Sequence, residues 1–388
     1  MSKVKIGIIG VGNMGGKYAA MLAEGQVPDL ELKALTRVKD ERRQEIEELL
    51  VKSGREKEDI TIYPSADDLF AAVKAGELAL DAVLIATPHY AHQEQTITAF
   101  QLGLHVLCDK PAGVYSRQGR EMKEEAAKHD LVYAMMFNQR TNPVYQKMKE
   151  LVESGVYGKI KRVNWIVTDW YRPNAYYQSS GWRATWKMDG GGTLLNQCPH
   201  NLDLLQWICG MPVRVQAFCH EGKYHPIEVE DDVTAYLEFA DGATGVFVAS
   251  TGEAPGINRL EISLEDALLV CDKGKLTVCE LGFHEGEYRK TATDCFKKLE
   301  GQWKSIECGQ ESSQYIVVLQ NFADAILKGA ALLAEGAEGN RSLLLSNSIY
   351  LSSWQKRMVE VPEEGSVYEK EFEQVFEKEL SLKADANH

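Results

Sequence analysis

The sequence predicts an α/β protein of two domains: a parallel sheet covered on both faces by helices over residues 1–140, then an α/β domain with an open, largely antiparallel sheet and C-terminal helices over 141–388. Three observations predict it. Short β-branched runs alternate with longer segments of helical period up to residue 140. Gly10, Gly12 and Gly15 sit where the first strand meets the first helix. Beyond 140, strand-like runs follow one another with hairpin breaks between them. A length of 388 residues exceeds one ordinary core and accommodates two.

In chain order, 4–10, 30–36, 81–87, 104–109 and 131–137 read as buried strands, rich in Val, Ile and Leu and bounded by Gly, Pro or charge. Segments 15–24, 39–52, 66–75, 91–102 and 116–129 carry helical spacing, the crossovers that parallel neighbours require. A helix is predicted over 143–154, ended by Gly155. An aromatic-rich stretch over 165–186 and the turn Gly190-Gly191-Gly192 then lead into a helix over 194–209. From 213 to 308 the alternation is that of strands, with a hairpin break at Ala240-Asp241-Gly242. Helices over 312–333, 341–358 and 367–383 close the chain.

Composition narrows the function. Hydrophobic residues at 44% and charged residues at 26% belong to a folded protein. A formal net charge of -14 opposes phosphate backbones and anionic lipid, so no nucleic-acid or membrane partner is expected. No apolar run is long enough to span a bilayer. Basic residues followed by an apolar run at the start resemble a secretion signal, but Gly12, Gly15 and Gly16 and the missing small-residue cleavage site argue against one. The eight cysteines are scattered with no Cys-x-x-Cys, which predicts reduced thiols in a cytoplasmic protein and no structural zinc.

Gly10-Val-Gly12-Asn13-Met14-Gly15 has the physical requirements of a dinucleotide cradle. Gly10 permits the tight turn, Gly12 lets backbone approach a pyrophosphate, and Gly15 allows close helix–strand packing. The helix N-terminus offers N–H groups and a positive dipole end to the phosphates. A bare strand-to-helix turn would also use glycine, but this pattern follows Ile6-Gly-Ile-Ile9 and opens a helical segment, the context of a Rossmann domain. At the end of the second strand stand Thr36 and Arg37, then Lys39, Arg42 and Arg43; no carboxylate sits where a ribose is expected. A solvated basic helix start would look the same, yet the pattern favours NADP over NAD, with Arg37 clasping the 2′-phosphate.

Three further segments fit this frame. Thr87-Pro88-His89-Tyr90-Ala91-His92 closes a strand and turns into a helix beneath the expected coenzyme. Asp109-Lys110-Pro111 ends the next strand with a lysine pinned by proline. In the predicted helix after the triple glycine, Asn196, His200 and Asp203 fall at i, i+4 and i+7, along one face. At these residues the chain resembles the family of glucose–fructose oxidoreductase, inositol dehydrogenase and the rhizopine-catabolism protein, called Gfo/Idh/MocA. The resemblance runs from about residue 5 to 361. It implies a Rossmann domain followed by an α/β domain whose open sheet makes oligomer contacts, in a homodimer or homotetramer. It also implies hydride exchange at a hydroxyl-bearing carbon of a carbohydrate or polyol. Lys110 matches the family's active-site lysine, in a motif more often written Glu-Lys-Pro, and His200 matches its catalytic histidine. Asn196 departs from the pattern: the family often carries aspartate there, and an amide cannot hold negative charge.

The chemistry of the residues agrees with those matches. An alcohol loses its hydroxyl proton as hydride departs, and a histidine with pKa near 6.5 suits that transfer. A lysine ammonium stabilises the charge developing on the same oxygen. Thr87, Pro88, His89, His92, Asp109 and Lys110 are expected on the coenzyme side. His89 and His92 lie three apart with no carboxylate between them and no third ligand nearby, so no metal is expected. Tyr176 and Arg183, from the aromatic stretch, and Asn138 are the candidate substrate contacts beside Lys110, Asn196 and His200; packed-loop or helix-start roles are the alternatives. The resulting expectation is an NAD(P)-dependent oxidoreductase of a sugar, sugar derivative, inositol or glycoside. Two alternatives stand beside it. One is redox-neutral glycoside cleavage through a transient ketone with tightly bound NAD(H); the other is a non-catalytic dinucleotide sensor. The presence of both Lys110 and His200 favours an enzyme.

Overall fold

The first strand, β1 (Val4–Ile9), is buried at every position but Lys5, because neighbours on both sides and helices on both faces leave it no wet side. A computed structural model describes residues 3–36, 40–54, 56, 59–181, 183–310 and 312–386. After β1 come α1 (Asn13–Ala23), β2 (Leu30–Thr36), α2 (Asp40–Lys52), β3 (Thr61–Tyr63), α3 (Ala66–Lys74) and β4 (Ala82–Ile85). Then follow α4 (His92–Gln101), β5 (His105–Cys108), α5 (Ser116–Ala126) and β6 (Tyr133–Met135). The strands pair in parallel in the order β3-β2-β1-β4-β5-β6. This is the doubly wound arrangement, with its switch point between β1 and β4. Strand β3 is absent from the sequence reading because three residues are too few to display alternation.

The chain divides into two compact units. One comprises Met1–Thr141 with Ser312–Leu343, the other Asn142–Glu311 with Leu344–His388. The sequence reading keeps all of 141–388 together, but the helix Gln314–Lys328 packs in the first unit. Its Val318, Leu319, Phe322 and Ala323 share a core with Ile6, Ile8, Leu32 and Leu35. An apolar stripe on a helix announces that it packs against something, not what it packs against.

The second unit holds α6 (Pro143–Glu153), β7 (Ile160–Val167), α7 (Asn174–Gln178), a π-helical turn (Thr193–Gln197) and α8 (Pro199–Cys209). It continues with β8 (Arg214–Glu221), β9 (Glu230–Glu238), β10 (Thr244–Ser250), β11 (Asn258–Leu264), β12 (Ala267–Asp272) and β13 (Lys275–Glu280). Helix α9 (Glu285–Thr291), β14 (Gln302–Ile306) and β15 (Val359–Glu360) complete the sheet region. The strand order is β14-β13-β12-β11-β7-β10-β9-β8-β15, antiparallel at every joint except β7 with β10. The expected open, largely antiparallel sheet is therefore present. Two details differ: β7 lies at its centre, burying Val163, Trp165 and Val167, and α9 interrupts the run of strands. Among the described residues, no helix is long and apolar enough to cross a membrane.

Two glycines of the first loop have opposite surroundings. A Cβ on Gly15 would lie 2.1 Å from the Gly10 carbonyl oxygen, whereas one on Gly12 would meet nothing within 4 Å. Gly15→Ala is expected to destabilise the chain by about 1–3 kcal/mol through overpacking, and Gly12→Ala to change it by less than about 0.5 kcal/mol without ligand. Chemical denaturation of both variants checks this; equal losses would refute the packing assignment.

Candidate active site

In the first unit, the loop after β1 is anchored by β2. Gly10 adopts φ +90, and its N–H donates to Thr36 Oγ1 at 3.0 Å. Val11 N–H donates to the Thr36 carbonyl at 3.3 Å. Thr36 is buried, and its hydroxyl shapes the glycine loop. Gly12 and Asn13 are exposed and Met14 partly so at the start of α1, whose first turn carries no acidic side chain. Open space beside the Gly12 Cα, ahead of a helix N-terminus with no acidic side chain in its first turn, fits a pyrophosphate. Alongside lies a cavity of about 200 Å³ lined by residues including Ile9, Thr36, Ser65, Phe70, Thr87 and Gln95. Arg37 lies outside the described residues.

The turns after β4 and β5 are tied by His92. Its Nδ1 lies 2.8 Å from the Pro111 carbonyl and its Nε2 2.8 Å from that of Thr87. Both ring nitrogens thus face acceptors, and the ring serves the loops rather than a ligand. Burial pulls its pKa below the usual histidine range, against the opposing pull of the carbonyls and Asp109. Thr87 donates its hydroxyl to Gln95 Oε1 at 2.8 Å, Pro88 is exposed, and buried His89 sits edge-on to His92. Asp109 is buried and accepts from Lys110 N–H at 2.9 Å and the Tyr18 hydroxyl at 3.3 Å, which fixes the Lys110 backbone. Burial raises the Asp109 pKa, with Lys110 opposing. Lys110 itself is half-buried, and its bond to Pro111 is cis. Asn138 is buried and donates to Gln314 Oε1 at 2.6 Å. Arg140 is buried in an ion pair with Glu338, an internal role.

In the second unit, the triple glycine and the turn after it are organised by a carboxylate the sequence reading did not select. Glu230, fully buried at the start of β9, accepts from Gly192 N–H at 2.9 Å, Leu194 N–H at 2.8 Å and the Tyr350 hydroxyl at 2.8 Å. A Cβ on Gly192 would lie 2.0 Å from the Glu230 carbonyl oxygen, so this approach needs glycine. Burial pushes the Glu230 pKa up to about 7. A signal existed: three consecutive carboxylates, Glu230-Asp231-Asp232, open a strand and are all buried. Strand alternation sends Asp231 the other way, where it accepts from His225 and the N–H groups of Lys223, Tyr224 and His225. His225 in turn meets the Arg172 carbonyl at 2.7 Å, holding the aromatic loop.

The expected continuous helix over 194–209 is broken. Pro199 brings no N–H, which suits the first turn of α8 but not a helix interior. Cys198 N–H reaches back to the Thr193 carbonyl at 2.8 Å, closing a π-helical turn. Asn196 lies in that turn and half-buried His200 in the first turn of α8. The extra residue shifts the facing assumed for an unbroken helix. Asp203 is fully buried and accepts from Gln206 at 3.1 Å, a role internal to α8.

Tyr176, Arg183 and Asn196 come together with two residues not foreseen, Asp189 and Gln197. Arg183 Nη1 donates to the Tyr176 hydroxyl at 2.9 Å, and Gln197 Nε2 donates to it at 3.2 Å. That hydroxyl donates to Asn196 Oδ1 at 3.2 Å. Asn196 Nδ2 donates to Asp189 Oδ2 at 3.1 Å and Oδ1 at 3.3 Å. The guanidinium of Arg183 also lies 4.7 Å over the Tyr176 ring, and that of Arg172 4.9 Å.

Residues 4–137 match a family described as "Oxidoreductase family, NAD-binding Rossmann fold", and residues 145–270 match "GFO/IDH/MocA C-terminal domain". The chain is 26% identical over 366 residues to myo-inositol 2-dehydrogenase of Thermotoga maritima, covering 93% of this chain and 99% of the relative. It is 28% identical over 292 residues to D-glucoside 3-dehydrogenase of Escherichia coli, covering 71% and 77%. Among solved structures it is similar to the WlbA dehydrogenase of Chromobacterium violaceum in complex with NADH and UDP-GlcNAcA. That likeness has a TM-score of 0.75 and 25% identity, covering 93% of this chain and 97% of the other.

Glu230 carries a pH prediction. Its folded pKa of about 7 exceeds the ordinary 4.5, so the fold binds this proton more tightly than the unfolded chain does. The associated stabilisation is complete below pH 4.5 and is lost as pH rises to about 7, a change of roughly 3 kcal/mol. Urea denaturation from pH 4 to 8 is expected to show a shallower decline for Glu230→Gln than for the native chain; parallel curves would refute the assignment.

Proposed function

The chain belongs to the Gfo/Idh/MocA oxidoreductase family, and on that premise we propose that it is an NAD(P)-dependent dehydrogenase or reductase. Its substrate is a sugar, sugar derivative, inositol or glycoside, acted on at a CH–OH carbon. The observation that carries this reading is the open Gly12 cradle at the N-terminus of α1, at the switch point of a doubly wound sheet. The names of the inositol and glucoside dehydrogenases among its relatives support the substrate class.

The coenzyme, when bound, supplies the hydride acceptor or donor. Gly10, Gly12, Asn13, Met14 and Gly15 hold its pyrophosphate, with Thr87, Pro88 and His89 beside it. Asp109 holds the Lys110 backbone, and the Lys110 ammonium donates to the reacting oxygen to stabilise developing charge. His200 takes the hydroxyl proton in oxidation and returns it in reduction. Arg183 and Asn196 serve the substrate side. Arg37 and the lack of a carboxylate directly after Thr36 favour NADP. A homodimer or homotetramer suits the exposed Phe218, Tyr236 and Trp303 on the nine-stranded sheet.

Lys110→Ala and His200→Ala are each expected to lower kcat by about 10²–10⁴-fold in NAD(P)H assays over a panel of sugars, polyols and glycosides, with coenzyme binding retained. Unchanged rates would refute the site. Arg37→Ala is expected to erase a preference for NADP; equal loss with both coenzymes would refute the phosphate clasp.

A further inference from the structure

We propose that Asp189 is the positioning carboxylate of the substrate-side cluster, fixing which way the Asn196 amide faces and hence the hydrogen bond that Tyr176 donates to it. The proposal rests on the oxidoreductase reading for its kinetic consequence, but its geometry stands independently.

A carboxylate only accepts hydrogen bonds, so the Asn196 amide must turn Nδ2 toward Asp189, at 3.1 and 3.3 Å. Its Oδ1 is thereby turned to the Tyr176 hydroxyl at 3.2 Å, which must donate. The lone pairs of that hydroxyl are then left for Arg183 at 2.9 Å and Gln197 at 3.2 Å. A phenol has one donor and two acceptor positions, and all three are occupied. Tyr176 is thus a keystone between a cation and an amide, not a hydroxyl open to substrate. Asp189 is only 2% exposed and also accepts from Ala184 N–H at 3.1 Å, at a residue with φ +57. One buried carboxylate therefore holds both a strained backbone position beside Arg183 and the amide of the π-helical turn that precedes His200. It also places a carboxylate one hydrogen bond from Asn196, which carries none of its own.

The test is a charge relocation: Asp189→Asn, Asn196→Asp and the double variant carrying both. Asp189→Asn keeps one acceptor oxygen but loses the charge and sets an NH2 donor against the Asn196 amide, and is expected to lower kcat roughly ten- to a hundredfold, the size of losing a charge-assisted hydrogen bond. Asn196→Asp alone sets two carboxylates against each other and is expected to lower kcat and displace the acid limb of the kcat–pH profile upward. In the double variant the carboxylate sits at 196 and the amide at 189. Its kcat is expected to recover to within about fivefold of the native value, with the acid limb restored. A double variant no better than Asp189→Asn, while folded by thermal melt, would overturn the proposal, as would an unperturbed Asp189→Asn. Crystal structures of native protein and Asp189→Ala, which leaves no acceptor at 189, read the cluster without activity: the native amide should face Asp189 with Tyr176 at Oδ1, and the variant should rotate the amide or release Tyr176. An unchanged cluster in the variant overturns the proposal even if no substrate is found. Native protein inert with every carbohydrate tried would count against the oxidoreductase reading alone.

Discussion

Turns that leave strand ends carry backbone N–H groups that no ladder pairs, and burying one unpaired costs about 1–3 kcal/mol. In this protein buried side-chain oxygens meet that demand at four turns. Thr36 takes the Gly10 N–H, Asp109 that of Lys110, Glu230 those of Gly192 and Leu194, and Asp189 that of Ala184. Each acceptor also sets the direction of the chain beside it. The geometry of the candidate residues is downstream of these bonds, because a glycine loop or a π-helical turn has little intrinsic preference to hold it in place.

Three of those four acceptors are carboxylates, and the cost of burying them differs with their partners. Glu230 has two N–H groups and a hydroxyl, yet full burial still lifts its pKa to about 7. Asp109 has the Lys110 charge nearby to oppose the effect of burial. A carboxylate in such a place is unstable in isolation and persists because the turn it closes would otherwise leave its donors bare.

Much of the first unit is legible in the sequence, because short apolar strands, glycine punctuation and helical spacing all agree there. What escaped notice is physical in origin. Strand β3 is too short to alternate, and the helix Gln314–Lys328 returns to a core that its own stripe does not name. In the second unit, β7 alternates Val163, Trp165 and Val167 inward, but its aromatic content drew it into the neighbouring loop. The π-helical turn was encoded in Cys198-Pro199, since proline can begin α8 but not continue a helix through it. Asp189 carries no motif of its own, and the run Glu230-Asp231-Asp232 does not say which donors it faces. Their importance comes from the donors placed opposite them, and pairing across 38 residues, as between Glu230 and Gly192, is invisible to local pattern.

The candidate residues therefore divide by what their polar atoms already hold. Thr36, His92, Asp109 and Arg140 have chemistry that suits a ligand, yet their polar atoms bind the loops around them. A residue engaged in this way contributes precision, because moving it would disturb a turn. Residue type alone thus overcounts ligand contacts, since the same oxygen or ring nitrogen serves a loop as readily as a sugar. The distinction lies in counting donors and acceptors at each atom. By that count Gly12 and Asn13 offer exposed backbone at a helix start, while the Tyr176 hydroxyl is fully engaged within its own cluster.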